Sequence, residues 1–133
     1  MTRMQQIDDG YRPGACNIGP AEIRARRQSG HVGLAVTAGL LASMLIFRVD
    51  PIWRLLLFIP AAGAASGYLQ AAMRFCANYG WRGVFNFGDQ IRDTIHVADP
   101  AAAAADRRVA LRIALMSATI GLVVAVGAAL LRF

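Results

Sequence analysis

Residues 55–73 read LLLFIPAAGAASGYLQAAM, an apolar run without a charged side chain. Its length suits a helix crossing ~30 Å of hydrocarbon, which takes roughly 20 residues. The first half is bulky and the second is small: Gly63 and Gly67 form a GxxxG motif, with Ala61, Ala64, Ala65 and Ser66 around them. In lipid no hydrophobic effect separates leucine from its solvent, so close approach of small residues is what draws helices together. Gly33 and Gly39 in the preceding apolar block, and Gly121 in the last one, are the facing candidates for such packing. Pro60 leaves a carbonyl about one turn earlier without its donor, which predicts a mild kink.

Two further apolar blocks, 32–47 and 109–131, flank this run in a chain that is 56% hydrophobic. The expected fold is therefore all-α, an integral membrane protein with three transmembrane helices. The first block is short, so either Arg48 snorkels or the bilayer thins there. RVDPIWR, residues 48–54, joins it to the run at 55–73. Asp50 is the expected side-chain cap and Pro51 the first helical residue, giving a tight helical hairpin. Asp50 is also expected to offset Arg48 or Arg54, and Trp53 to lie at interface depth.

Residues 1–30 read as a tail. Its first part, to Gly19, lacks periodicity and is expected to need a partner for order. GPAEIRARRQ, residues 19–28, then predicts a short juxtamembrane helix with Pro20 at its first position and Glu22 in its positive first turn. Ser29 and Gly30 end it, and the membrane domain is expected over 31–133. The tail carries Asp8, Asp9 and Glu22 and no continuous apolar core, so the first membrane helix is expected to serve as the targeting signal.

Residues 74–99 form an expected interfacial connector, in which Tyr79, Trp81, Phe85, Phe87, Ile91 and Ile95 alternate with Arg82, Asn86, Asp89, Arg92 and Asp93. DPAAAAADRR, residues 99–108, starts a helix at Asp99 and Pro100 that is expected to run unbroken into the last block, entering the bilayer near Arg107, Arg108 and Arg112.

The net charge of +6 comes from fourteen arginines and no lysine. They flank apolar blocks instead of forming one stripe, which speaks against nucleic acid and for lipid headgroups. Arg24, Arg26, Arg27, Arg74, Arg82, Arg107 and Arg108, with Tyr79 and Trp81, are the candidate headgroup contacts. Arg3, Arg12, Arg24, Arg26, Arg27, Arg74, Arg82, Arg92, Arg107, Arg108 and Arg112 lie on one expected side of the membrane, against Arg48, Arg54 and Arg132 on the other. This imbalance predicts a cytoplasmic amino terminus and connector in a multi-pass protein of the bacterial inner membrane.

CNIGPAEIRARR, residues 16–27, followed by a helical hairpin and GYLQAAMRFCANYGWRG, residues 67–83, resembles the YgaP-like inner-membrane domain, a two-helix family sometimes fused to rhodanese sulfurtransferases. Asn17, Ile18, Gly19, Glu22 and Arg24 match its first motif; Gly67, Tyr68 and the stretch Cys76 to Gly80 match its second. The resemblance covers residues 15–83, with Ala77 where the family places proline, and leaves the third helix aside. It implies membrane anchoring and helix pairing, with no reaction to carry over.

Cys76 sits at an expected helix carboxyl end, whose negative pole opposes the influence of Arg74 and Arg82, so no strongly activated nucleophile is implied. Cys16 and Cys76 are nonetheless the candidate thiols. With His31 and His96 they make a zinc-type set, but no two have close ligand spacing, so neither metal nor cofactor is expected. No nucleophile motif, phosphate loop or carboxylate pair points to an enzyme. The absence of acidic residues in the apolar blocks disfavours autonomous transport. The expected function is a structural or accessory membrane subunit, packing against itself or a larger complex. The alternatives are a thiol module for sulfur transfer or redox sensing through Cys76, and a small oligomeric channel.

Overall fold

A computed structural model of the chain describes residues 10–131. Helix α1 spans Pro20–Ile46, α2 Pro51–Arg54, α3 Phe58–Met73, α4 Ala77–Arg82 and α5 Pro100–Leu130; a 3-10 turn, Leu55–Leu57, joins α2 to α3. Two short strands, β1 (Val84–Phe85) and β2 (Ile95–His96), pair antiparallel between α4 and α5. Three helical stretches are long and apolar enough to cross a membrane: Pro20–Ile46, Pro51–Met73 and Pro100–Leu130.

The stretch 51–73 lies in the middle. It is buried over 39% of its apolar window, against 11% for α1 and 28% for α5. Helix α1 packs on one side of α3 and α5 on the other. Small residues make this possible. A Cβ on Gly67 would lie 2.6 Å from the Gly30 nitrogen and 2.8 Å from the Arg26 carbonyl, and one on Gly33 would lie 2.9 Å from the Ala64 backbone. On the opposite flank, a Cβ on Gly121 would meet Ala62 at 2.8 Å. Gly39 and Gly63 do not take part: among the described residues, no atom outside their own helical surroundings comes within 4 Å of a Cβ built on either.

The juxtamembrane helix and the first apolar block are one helix, contrary to the break expected at Ser29 and Gly30. A glycine inside a helix costs about 1 kcal/mol relative to alanine, but here Gly30 lies against Gly67 and the Tyr68 ring, where a side chain would not fit. Close packing thus recovers what local propensity loses. Helix α1 ends at Phe47, and Arg48 takes a left-handed conformation (φ 52°). The Val49 amide donates to the Met44 carbonyl and the Arg48 amide to that of Leu45, the paired hydrogen bonds of a Schellman ending. Arg74 closes α3 in the same way, with the Phe75 amide donating to Gln70.

The Asp50 carboxylate caps nothing, since only the Asp50 main-chain carbonyl receives the Trp53 amide. Nor does it pair with arginine, because the only ion pair among the described residues joins Arg26 and Glu22. Arg54 is instead buried against the far end of α5. Its Nη1 donates to the carbonyls of Ala128 (3.1 Å) and Leu131 (2.8 Å), and its Nη2 to that of Val49 (3.3 Å). A carboxyl-terminal helix end carries unsatisfied carbonyls and partial negative charge, so a guanidinium suits it. At the other end of α5 the Asp99 carboxylate accepts the Ala101 amide, as its position before Pro100 predicts.

Candidate functional site

Segment 10–19 and connector 74–99 fold together over one end of the bundle. The expectation that the tail needs a partner is met within the chain for its described part. Asn17 is fully buried and reads the backbone of Cys76 from both sides: its Oδ1 accepts the Cys76 amide at 2.7 Å and its Nδ2 donates to the Cys76 carbonyl at 3.1 Å. The Asn86 amide donates to the Asn17 carbonyl and the Gly19 amide to that of Asn86, so the two segments run side by side for one ladder step. The connector is therefore a folded element packed on segment 10–19, with Trp81 and Ile91 left exposed. Ile18, Cys76, Tyr79 and Val84 pack as one apolar cluster, and Phe75 joins Val109, Ala110 and Ile113 of α5 in another.

The tail is also tied to α5. Asp106 is fully buried, and its carboxylate accepts the Tyr11 hydroxyl at 2.6 Å and the Gly14 amide at 2.7 Å. The Tyr11 ring stacks on Phe85 with centroids 4.5 Å apart. Burial, then the hydrogen bond to Asp106, pushes the Tyr11 hydroxyl well above its ordinary pKa. Asp106→Ala removes the shared acceptor and strands two donors, each costing about 1–3 kcal/mol. Hydrogen–deuterium exchange should show faster exchange at Gly14 to Cys16 in that variant, with the centre of α3 unaffected.

The most concentrated chemistry surrounds Glu22 and Arg26 near the start of α1. Glu22 is fully buried and accepts from Arg26 Nη2 (3.3 Å) and from the Arg92 amide (3.3 Å). The same Arg26 Nη2 lies 3.0 Å from Cys76 Sγ, and the guanidinium sits 5.8 Å from the Tyr79 ring centroid. Tyr79 is buried, and its hydroxyl oxygen has no hydrogen-bond partner among the described residues. Burial, reinforced by Glu22, raises the Tyr79 pKa far above that of a free phenol.

Arg26 faces inward, where Glu22 and Cys76 supply its partners, and Tyr79 packs in the buried cluster with Ile18, Cys76 and Val84. The guanidinium beside Cys76 also belongs to Arg26, from a position 50 residues away in sequence, and not to Arg74 or Arg82. Cys76 stands before α4 and ends no helix. Arg24, Arg27, Arg74, Trp81, Arg82, Arg107 and Arg108 are exposed, and Arg107 Nε donates to the Trp81 carbonyl. Cys16 lies in a second recess with Arg24, Arg27 and Arg74, where burial pushes its thiol pKa up. Cys16, Cys76, His31 and His96 form no metal-binding group among the described residues; His31 Nδ1 is instead hydrogen-bonded with the Tyr68 hydroxyl at 2.6 Å.

Local pattern alone could not reveal Asn17, Glu22, Arg54 and Asp106 as buried polar anchors. Glu22 offered one faint signal, its spacing of four residues from Arg26. No family model matches the chain, and comparison with curated proteins and with solved structures finds no match.

Proposed function

We propose that this chain is an integral membrane protein acting as a structural or accessory subunit, with its amino terminus and folded connector on the cytoplasmic side. Orientation rests on the eleven arginines at the connector side against three at the other. A bacterial inner membrane and kinship with YgaP-like domains belong to the same proposal, through the membrane anchoring and helix pairing that such kinship implies.

The observation that carries the subunit reading is the exposure of α1. Internal packing takes up Gly30, Gly33, Gly67 and Gly121, while Gly39 faces open space on a helix whose apolar window is 11% buried. Val32, Leu34, Val36 and Leu40 are exposed on the same helix. A small residue on an outward surface permits close approach of another helix, from a second copy or a larger complex. Of Gly63 and Gly67, the pair a channel lined by α3 would use, Gly67 is already in contact with α1. Copurification from native membranes in mild detergent tests the proposal: a co-eluting oligomer or complex is expected, lost in Gly39→Leu, whereas a stable monomer without partners refutes it.

The contact of 3.0 Å between Arg26 and Cys76 favours a second reading, a thiol module for sulfur transfer or redox sensing. In a Cys16→Ser background, such a module requires Cys76 to react with a small membrane-permeant alkylating agent at pH 7, at a rate that falls in Arg26→Leu. A thiol inert in intact membranes dismisses it.

A further inference from the structure

Between α1, α3 and the connector lies a recess of about 700 Å³, lined among others by Arg26, Arg82, Arg92, Tyr79, Gln70 and Gly63. Its charge is unbalanced. Glu22 is the acidic group behind it and is engaged by Arg26 and by the Arg92 amide, while neither Arg82 nor Arg92 forms an ion pair among the described residues. The Tyr79 hydroxyl is buried behind the recess and its nearest electrostatic neighbour is Glu22. Two guanidiniums without ion pairs at one site suit a phosphate, which accepts several charge-assisted hydrogen bonds at once.

The recess also has depth. From Gln70 to Gly63 it follows α3 for seven residues, about 10 Å at 1.5 Å per residue. Ser66 and Gly67 lie between, and among the described residues no neighbouring element comes within 4 Å of a Cβ built on Gly63. A free phosphate has no use for this extension; an acyl chain does. Gly63, which takes no part in packing α1 on α3, is explained if its missing side chain keeps that track clear.

We infer that the recess binds an anionic membrane lipid, its phosphate headgroup held by Arg82 and Arg92 and one acyl chain lying over Gly63. The inference rests on membrane insertion, proposed above, and is independent of the subunit reading.

Native mass spectrometry of the purified full chain, titrated in detergent with phosphatidylglycerol or phosphatidylcholine, tests it. Phosphatidylglycerol should bind preferentially by about tenfold or more, the scale of a charge-assisted contact. Arg82→Gln with Arg92→Gln should abolish that preference; both side chains are exposed, so the fold is expected to survive. Gly63→Leu should weaken phosphatidylglycerol by a similar factor while leaving binding of glycerol 3-phosphate unchanged. Equal binding of the two lipids, or a preference surviving the double arginine variant, overturns the inference. Tight glycerol 3-phosphate binding together with no effect of Gly63→Leu assigns the recess to a soluble phosphate and overturns the lipid. A chain soluble without detergent removes the membrane premise itself, a result separate from any of these.

Discussion

Gly67→Leu should separate α1 from α3 and lower the thermal stability of the detergent-solubilised protein more than any other single change in the bundle. A Cβ at Gly67 falls 2.6 Å from the Gly30 nitrogen and 2.8 Å from the Arg26 carbonyl, both backbone atoms that no rotamer change can move aside. Overpacking of a tight core costs typically about 1–3 kcal/mol, and here the rest of a leucine must also be placed. Displacement of Arg26 would draw its guanidinium from Glu22 and Cys76, so the damage should spread from the helix contact to the folded connector. Size-exclusion chromatography after stepwise heating gives the readout. Gly39→Leu is the internal comparison: it meets open space and should leave the monomer's stability within about 0.5 kcal/mol. Equal losses from the two substitutions would contradict the packing described.

The second large effect is expected at the opposite end. Arg54→Met removes the donors that serve the Ala128 and Leu131 carbonyls, and the buried Ala128 acceptor left alone costs about 1–3 kcal/mol, the part-buried Leu131 acceptor less. The cost is partly offset because the variant no longer desolvates a charge. Amide exchange in the last turn of α5 should accelerate and the melting temperature should fall, whereas Arg48→Met, at an exposed position, should change little. Unchanged exchange near Ala128 would show that the guanidinium does not hold that helix end.

The sequence made some of this plain and concealed the rest for identifiable reasons. Three apolar blocks and the Asp99–Pro100 start are local signals, carried by neighbours within a turn or two, and they translate directly into long helices. Ser29 and Gly30 are also a local signal, but contact with Gly67 and Tyr68 outweighed it. Arg26 and Tyr79 looked like interfacial anchors because a cation and an aromatic beside an apolar block usually are. Their actual setting depends on Glu22 and Cys76, and such information is spread across the chain. The same holds for Asp106, whose partner Tyr11 is 95 residues distant, and for Arg54, whose partner Ala128 is 74 residues distant. Long-range pairing of buried polar groups has no periodicity to betray it. The recess was invisible for a related reason: its arginines come from α1, α4 and the loop before β2.

Helix α5 is fastened at both ends by residues made much earlier, Tyr11 and Gly14 at one and Arg54 at the other. During synthesis the hairpin of α1 and α3 precedes α5, which leaves the Arg54 guanidinium with Val49 alone among its three carbonyl acceptors and segment 10–19 without the Asp106 carboxylate. Completion of α5 discharges both debts in one step. Helix α5 thus acts as a latch that engages both ends of the preceding fold at once.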